Sequence, residues 1–220
     1  MRLAPIFVIF LVLSGCSKPD KPVEKSTPPA AATVADPRHV LLVFGDSLSA
    51  GFGLEAGLSF PDFLQKKLDA EHYPWHVVNQ GISGDTTEGG VARLDSAIAL
   101  KPEIVVLELG GNDGLRGLPL ETTRDNLNQM IVAFQKSGAK VVLAGMTLPP
   151  NYGPDYIHKF EKIYRDLATR HKTILIPFLL ADIITSDLRY IQHDGIHPTA
   201  EGCEILAGTV LRAVKPLLTR

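Results

Sequence analysis

Three short runs, apolar at nearly every position, set the narrowest limit on how this chain can fold. They lie at residues 40–44 (VLLVF), 104–109 (IVVLEL) and 140–144 (KVVLA), with weaker candidates at 76–78 and 173–176. A continuous run suits a strand covered on both faces, whereas a half-exposed strand would alternate. Helical periodicity fills the gaps. Residues 85–99 predict a helix, with Asp85 and Glu88 spaced as a capping-box-like start. Residues 122–137 align Leu127, Ile131 and Phe134 on one stripe, with Gly138 as a stop. Residues 155–170 bring Ile157, Phe160, Ile163, Tyr164 and Leu167 together, and a last helix from Thr199 aligns Cys203, Leu206, Val210 and Val214. Strands alternating with helices predict an α/β fold with a five-stranded parallel sheet covered on both faces. Ligands of such sheets sit beyond the carboxyl ends of the strands, so the turns there are where chemistry is expected.

Composition removes several classes of function. A formal net charge of -2 leaves no basic excess to neutralise phosphates, so no nucleic-acid partner is expected. The only cysteines are Cys16 and Cys203, which excludes a disulfide framework and a cysteine zinc cluster. Cys203 falls on the apolar stripe of the last helix and reads as a small buried hydrophobe. Residues 1–16 have a signal-peptide layout, with Arg2, an apolar stretch too short to span a bilayer, and the small residues Ser14 and Gly15 before Cys16. Residues 17–38 are rich in Pro, Lys, Ala, Ser and Thr and cannot bury enough surface to fold, so they predict a flexible tether. The folded domain is expected over 39–220.

Four turns carry polar groups at the predicted strand ends. Gly45-Asp46-Ser47-Leu48-Ser49 follows the first strand and would expose a serine hydroxyl at the sheet edge. Asp and Ser more often merely cap or turn a chain. Asn79 to Asp85 contains Gly81 and Gly84, and Gly84 precedes a helix start where bare N–H groups favour negative charge. Gly110-Gly111-Asn112-Asp113 places an amide donor between glycines, although Asn, Asp and Gly also dominate ordinary turns. In His193-Asp194-Gly195-Ile196-His197-Pro198, one turn lets the Asp194 carboxylate reach the His197 imidazole. The alternatives are a helix-cap network, or a metal held by His193 and His197 for which local spacing suggests no third ligand. Together the turns offer a nucleophile, two anion stabilisers and a base with its orienter, the set that acyl transfer needs.

These four segments, in this order and spacing, resemble the conserved blocks of the SGNH (GDSL) hydrolases, and within them the bacterial thioesterase/lysophospholipase/arylesterase group. The resemblance runs from about Val40 to the C-terminus. It implies a flavodoxin-like three-layer α/β/α sandwich that uses no cofactor or metal. It implies Ser47 as nucleophile, His197 as base and Asp194 as its partner, with the N–H groups of Ser47 and Gly84 and the side chain of Asn112 as oxyanion donors. It further implies that Asp46, Leu115, Leu148, Pro149 and Tyr152 meet the substrate, an acyl ester, thioester or lysophospholipid. Leu13-Ser14-Gly15-Cys16 resembles the lipobox of bacterial lipoproteins, which implies lipidation at Cys16, export, and a membrane anchor facing the periplasm. A monomer is expected. The rival readings are a sugar or cell-wall O-acetyl esterase of the same fold, a non-catalytic lipid-binding lipoprotein, and a phosphate binder. The last would need a Gly-rich loop with lysine, which is absent.

Overall fold

The computed structural model describes residues 36–184 and 188–220. Cys16, the expected signal segment and nearly all of the expected tether lie outside the described residues. Five strands form one parallel sheet: β1 His39–Gly45, β2 Trp75–Gly81, β3 Ile104–Glu108, β4 Lys140–Ala144 and β5 Ile174–Ile176. Their spatial order is β2-β1-β3-β4-β5. That is the flavodoxin-like order, whose switch point lies between β1 and β3. β3 is buried at every position, as its unbroken apolar run requires, and β1 is buried from Leu41 onward. β2 is a half-exposed edge strand and extends to Gly81, beyond the three residues its weak pattern predicts.

Among the described residues, seven α-helices lie between the strands and an eighth follows β5: α1 Ser47–Ala50, α2 Phe60–Ala70, α3 Thr87–Ala92, α4 Leu94–Ile98, α5 Gly111–Leu115, α6 Leu120–Lys136, α7 Pro154–His171 and α8 Ala200–Val214. α2 packs with α8, while α3, α6 and α7 form a second packed group. The predicted stripe residues Leu127, Ile131 and Phe134 of α6, and Phe160, Ile163, Tyr164 and Leu167 of α7, are buried, while Ile157 of the α7 stripe is only partly covered. Cys203 is buried in α8, and burial pushes its thiol up to about 11, consistent with an inert core residue.

Two departures from the sequence reading have physical causes. α2 starts with a complete capping box in which Ser59 and Asp62 exchange hydrogen bonds, followed by Phe60, Leu64 and Leu68 on the core side. The helix predicted over 85–99 is two short helices. Thr86, not Asp85, caps the first, and the chain breaks at Arg93, where φ is -107° and ψ 10°. Gly89 and Gly90 weaken helix propagation there, and the Arg93 side chain turns inward.

Candidate active site

The β1 turn is shaped by close approach. Gly45 ends β1 opposite Gly81 of β2, and α1 lies against this glycine pair. A Cβ on Gly81 would stand 2.3 Å from the Ala50 backbone N, and one on Gly45 would stand 2.1 Å from Ser49 Oγ and 2.4 Å from Glu108 Oε2. Asp46 caps α1: its Oδ1 accepts from Leu48 N at 3.1 Å. Ser47 is thereby held in the first turn of α1, at the sheet's carboxyl edge.

The His197 turn is built locally. Asp194 Oδ1 accepts from Ile196 N at 2.9 Å and His197 N at 3.0 Å, with Gly195 at φ 75° between them. Asp194 Oδ2 accepts from His197 Nδ1 at 2.6 Å, and Ser47 Oγ donates to His197 Nε2 at 2.8 Å. Burial raises the Asp194 carboxyl, but the N–H groups of His197 and Ile196 and the imidazole outweigh it and hold it at about 2. Gln192 ties this turn to the chain beyond α1. Its amide donates at 2.8 Å to both Phe52 O and Pro198 O, and its N–H donates to His197 O at 2.7 Å. The Phe52 ring lies 4.6 Å from the imidazole, centroid to centroid.

Asn112, in α5, faces the same place. Its Nδ2 donates to Asp46 Oδ2 at 3.0 Å and to Asp85 O at 2.9 Å, so both amide protons are engaged. Gly84 sits at φ 79°, and its carbonyl accepts from Arg116 Nη2 at 2.8 Å. Asp113, next to Asn112, is buried and turned away from Ser47. It accepts from Thr87 N at 2.9 Å and Thr87 Oγ1 at 2.5 Å, fastening α3 to α5.

Two cavities open beside Ser47. A small one of about 120 Å³ touches Ser47, Asn112 and His197, and a larger, mostly apolar one of about 430 Å³ is lined by Leu148, Pro149, Phe178 and Ile184 among others. Gly111, Leu115, Met146, Leu180 and Ile196 belong to both walls, so the two form one path. Its size falls within the roughly 300–1,000 Å³ usual for small-molecule sites. Of the residues expected to meet substrate, Leu115, Leu148 and Pro149 line the path. Tyr152 does not; its hydroxyl braces the Leu115 carbonyl from behind at 2.7 Å. Asp46 borders the small cavity but is only 3% exposed and is occupied in capping α1 and holding Asn112. Met146, Leu180 and Ile196 also line the path and were not anticipated. Among the described residues, no group of three or more His, Cys, Asp or Glu side chains is placed to hold a metal ion.

Beneath Ser47 lies a buried acid that the sequence reading left inside a strand. Glu108 Oε2 accepts from Ser49 Oγ at 2.7 Å and Asp46 N at 3.2 Å, while Oε1 has no partner among the described residues. Burial, reinforced by the Asp46 carboxylate, pushes Glu108 well above the usual carboxyl range and so favours its protonated form. Burial also raises Asp46, to about 6. Both shifts make the folded chain bind more protons than the unfolded one. Stability contributed here is therefore full at acid pH and falls as pH rises, for Asp46 from about 4 through 6 and for Glu108 through its own raised value. Glu108→Gln keeps a neutral acceptor for Ser49 but cannot ionise. In urea titrations, its stability relative to the native protein should increase from pH 5 to pH 8; a constant difference would show that Glu108 does not carry this proton.

A hydroxyl that can lose its proton to an oriented imidazole, at the mouth of an apolar path, is equipped for acyl transfer through serine. The class this geometry and fold define is the serine ester hydrolases. Comparison with known proteins gives the same answer. Residues 43–205 match the GDSL-like lipase/acylhydrolase family. The esterase TesA of Pseudomonas aeruginosa is 44% identical over 94% of this chain and 98% of its own length. The thioesterase 1/protease 1/lysophospholipase L1 of Escherichia coli K12 is 36% identical over 81% of this chain and 84% of its own. A crystal structure of TesA superimposes with a TM-score of 0.78 at 46% identity, covering 82% of this chain and all of that one. The chain belongs to the GDSL-like lipase/acylhydrolase family and is an ester hydrolase.

Proposed function

We propose that Ser47, His197 and Asp194 act as nucleophile, base and orienter in hydrolysing acyl esters through an acyl-serine. The observation that carries this is the continuous hydrogen-bonded line from Ser47 Oγ through His197 to Asp194, with distances of 2.8 and 2.6 Å, beside the apolar path. Ser47 Oγ attacks the acyl carbonyl carbon as its proton passes to His197 Nε2. The resulting oxyanion is held by the N–H groups of Ser47 and Gly84, neither of which makes a hydrogen bond among the described residues, and by the Asn112 amide. Because both Asn112 protons are already engaged, the oxyanion competes with the Asp46 carboxylate for one of them. The tetrahedral species collapses, the alcohol or thiol leaves with the proton from His197, and water deprotonated by His197 then cleaves the acyl-serine. Asp194 keeps the imidazole in the tautomer that accepts at Nε2.

The acyl chain occupies the apolar path, which favours acyl esters over sugar acetates. The esterase, thioesterase and lysophospholipase names of the relatives support oxygen esters, thioesters and lysophospholipids as substrates. Leu115 lies on both cavity walls and is half-buried, so a larger side chain there can fill the path without overpacking the core. Leu115→Trp should lower kcat/KM for octanoyl and longer esters about 10-fold or more while leaving acetyl esters within about threefold, the scale of a few lost apolar contacts. A p-nitrophenyl ester series checks this, and an unchanged length profile would remove the acyl chain from the path.

Cys16 carries lipid in the mature protein and holds the domain at a bacterial membrane facing the periplasm, with the chain acting as a monomer. The Leu13-Ser14-Gly15-Cys16 sequence after an apolar run supports this. Cys16→Ser should move the protein from the membrane to the soluble fraction of cell extracts, and retention at the membrane would count against lipidation.

A further inference from the structure

One largely covered cation near the site has no role in the chemistry just described. Arg93 stands at the break between α3 and α4, with its side chain 14% exposed. Its Nε donates to Asp85 Oδ2 at 2.8 Å, Nη1 to Gln80 O at 2.8 Å and Nη2 to Gly45 O at 2.9 Å. The guanidinium carbon lies 3.8 Å from the Phe44 ring centroid, so the cation also rests on a strand side chain. These contacts reach two of the three chain segments from which the proposed oxyanion donors come, the β1 turn and the turn after β2, and meet the third, α5, through Asp85. Gly45 leads directly into Asp46 and Ser47. Gln80 is the penultimate residue of β2, just before the turn that carries Gly84. Asp85 follows Gly84, and its carbonyl accepts from the Asn112 amide.

We infer that Arg93 is a positioning residue that sets the spacing of the oxyanion donors, an inference that rests on the hole assigned under Proposed function. Gly84 belongs to a glycine-rich loop after an edge strand, and such loops do not hold a sub-ångström position unaided. A planar fork that bonds three acceptors in two segments, Gly45 on one side and Gln80 and Asp85 on the other, fixes their separation, which a lysine ammonium cannot do with the same geometry. The oxyanion hole works because its donors are aimed before the charge develops, so a loose Gly84 loop weakens the transition state more than the ground state. Three further features fit this role. The helix breaks where Arg93 must turn inward. Gly89 has no room for a side chain, since a Cβ there would lie 1.8 Å from Asp85 Oδ1. The Asp85 carboxylate, 12% exposed, is held by Arg93 on one oxygen and by Thr86 N on the other, so it serves the loop and not solvent.

The test compares Arg93→Lys, Arg93→Ala and Asn112→Ala on one ester. Arg93→Lys should lower kcat about 10-fold and Arg93→Ala about 100-fold, with KM within about threefold, the pattern of an interaction used in the transition state. Added guanidinium chloride at sub-denaturing concentration should restore part of the Arg93→Ala rate, and equal sodium chloride or urea should not. Affinity for an alkyl trifluoromethyl ketone, which forms a tetrahedral adduct, should fall in parallel with kcat. Arg93 variants with kcat within about threefold of the native enzyme would overturn the inference. So would a loss carried by KM, or a loss matched by the fall in melting temperature and unresponsive to guanidinium. Because Arg93→Ala leaves Asp85 unpaired and could fail to fold, Arg93→Lys decides in that event. Asn112→Ala separates the two readings. If it loses turnover while the Arg93 variants do not, only this inference fails; if its turnover is unchanged, the hole itself is misassigned.

Discussion

Ser47→Ala should yield a protein that folds and melts as the native one does but hydrolyses esters about 10⁴-fold more slowly or worse. The fold is safe because, among the described residues, the Ser47 hydroxyl makes a single hydrogen bond, to His197 Nε2. The turn around it is held by other groups: the Asp46 cap on Leu48 N, the Ser49 contact to Glu108 and the glycine platform beneath α1. The rate is not safe, because without an oxygen at this position no acyl-enzyme forms and His197 has nothing to deprotonate except water. What survives is binding and the oxyanion donors acting on a poorly placed nucleophile. A fluorophosphonate followed by intact-mass measurement gives a second readout, with one adduct on the native enzyme and none on the variant. Native-like turnover in Ser47→Ala, or an adduct that persists, would move the nucleophile to another residue.

What could be read from the sequence followed how local each feature is. The Asp194–His197 pair was legible because it is an i, i+3 contact closed by the aspartate's own turn. The β3 and β4 strands were legible because burial on both faces leaves an unbroken apolar run. The meeting of Ser47 with His197, 150 positions apart, is not a local property; only the order of the four blocks pointed to it. β2 was seen short because an edge strand carries polar residues. Helix α2 was missed although Ser59 and Asp62 announce its start. Glu108 was absorbed into an apolar run, yet an acid in a doubly covered strand is itself a sign of a neutral or partnered carboxyl. Arg93 was hidden in an apparently continuous helix, since periodicity cannot show where a side chain turns inward to bond carbonyls of other strands. The groove was half legible: Leu115, Leu148 and Pro149 line it, whereas Tyr152 only braces it, and Met146, Leu180 and Ile196 join its wall although nothing local marks them as lining. Asn112 was legible as a donor, but not the fact that its protons are already engaged in the free enzyme.

The largest structural effect is expected at Gly81. Its backbone torsions do not demand glycine, because its φ is not positive; the demand is for space. An added methyl would lie 2.3 Å from Ala50 N and 2.7 Å from Ser49 C, both backbone atoms of the helix that carries Ser47. Ordinary contact needs about 3.5 Å or more, so one side must move by roughly 1 Å. β2 cannot retreat cheaply, since its register with β1 is fixed from Trp75 to Gly81. The movement therefore falls on α1, and with it on Ser47. Gly81→Ala should cost about 3 kcal/mol of stability, at the upper end for overpacking a filled site. It should also lower kcat about 100-fold in the fraction that folds, because an ångström of misplacement at a nucleophile is worth that much. Gly57→Ala is the control. Gly57 also lacks a side chain, with φ at 87°, but nothing stands within 4 Å of the added carbon, so only the torsional strain remains, about 1 kcal/mol, with kcat unchanged. Urea denaturation and initial rates on the two variants separate crowding from conformational strain. Equal effects at the two glycines would mean that the nucleophile turn does not depend on the contact between α1 and the end of β2.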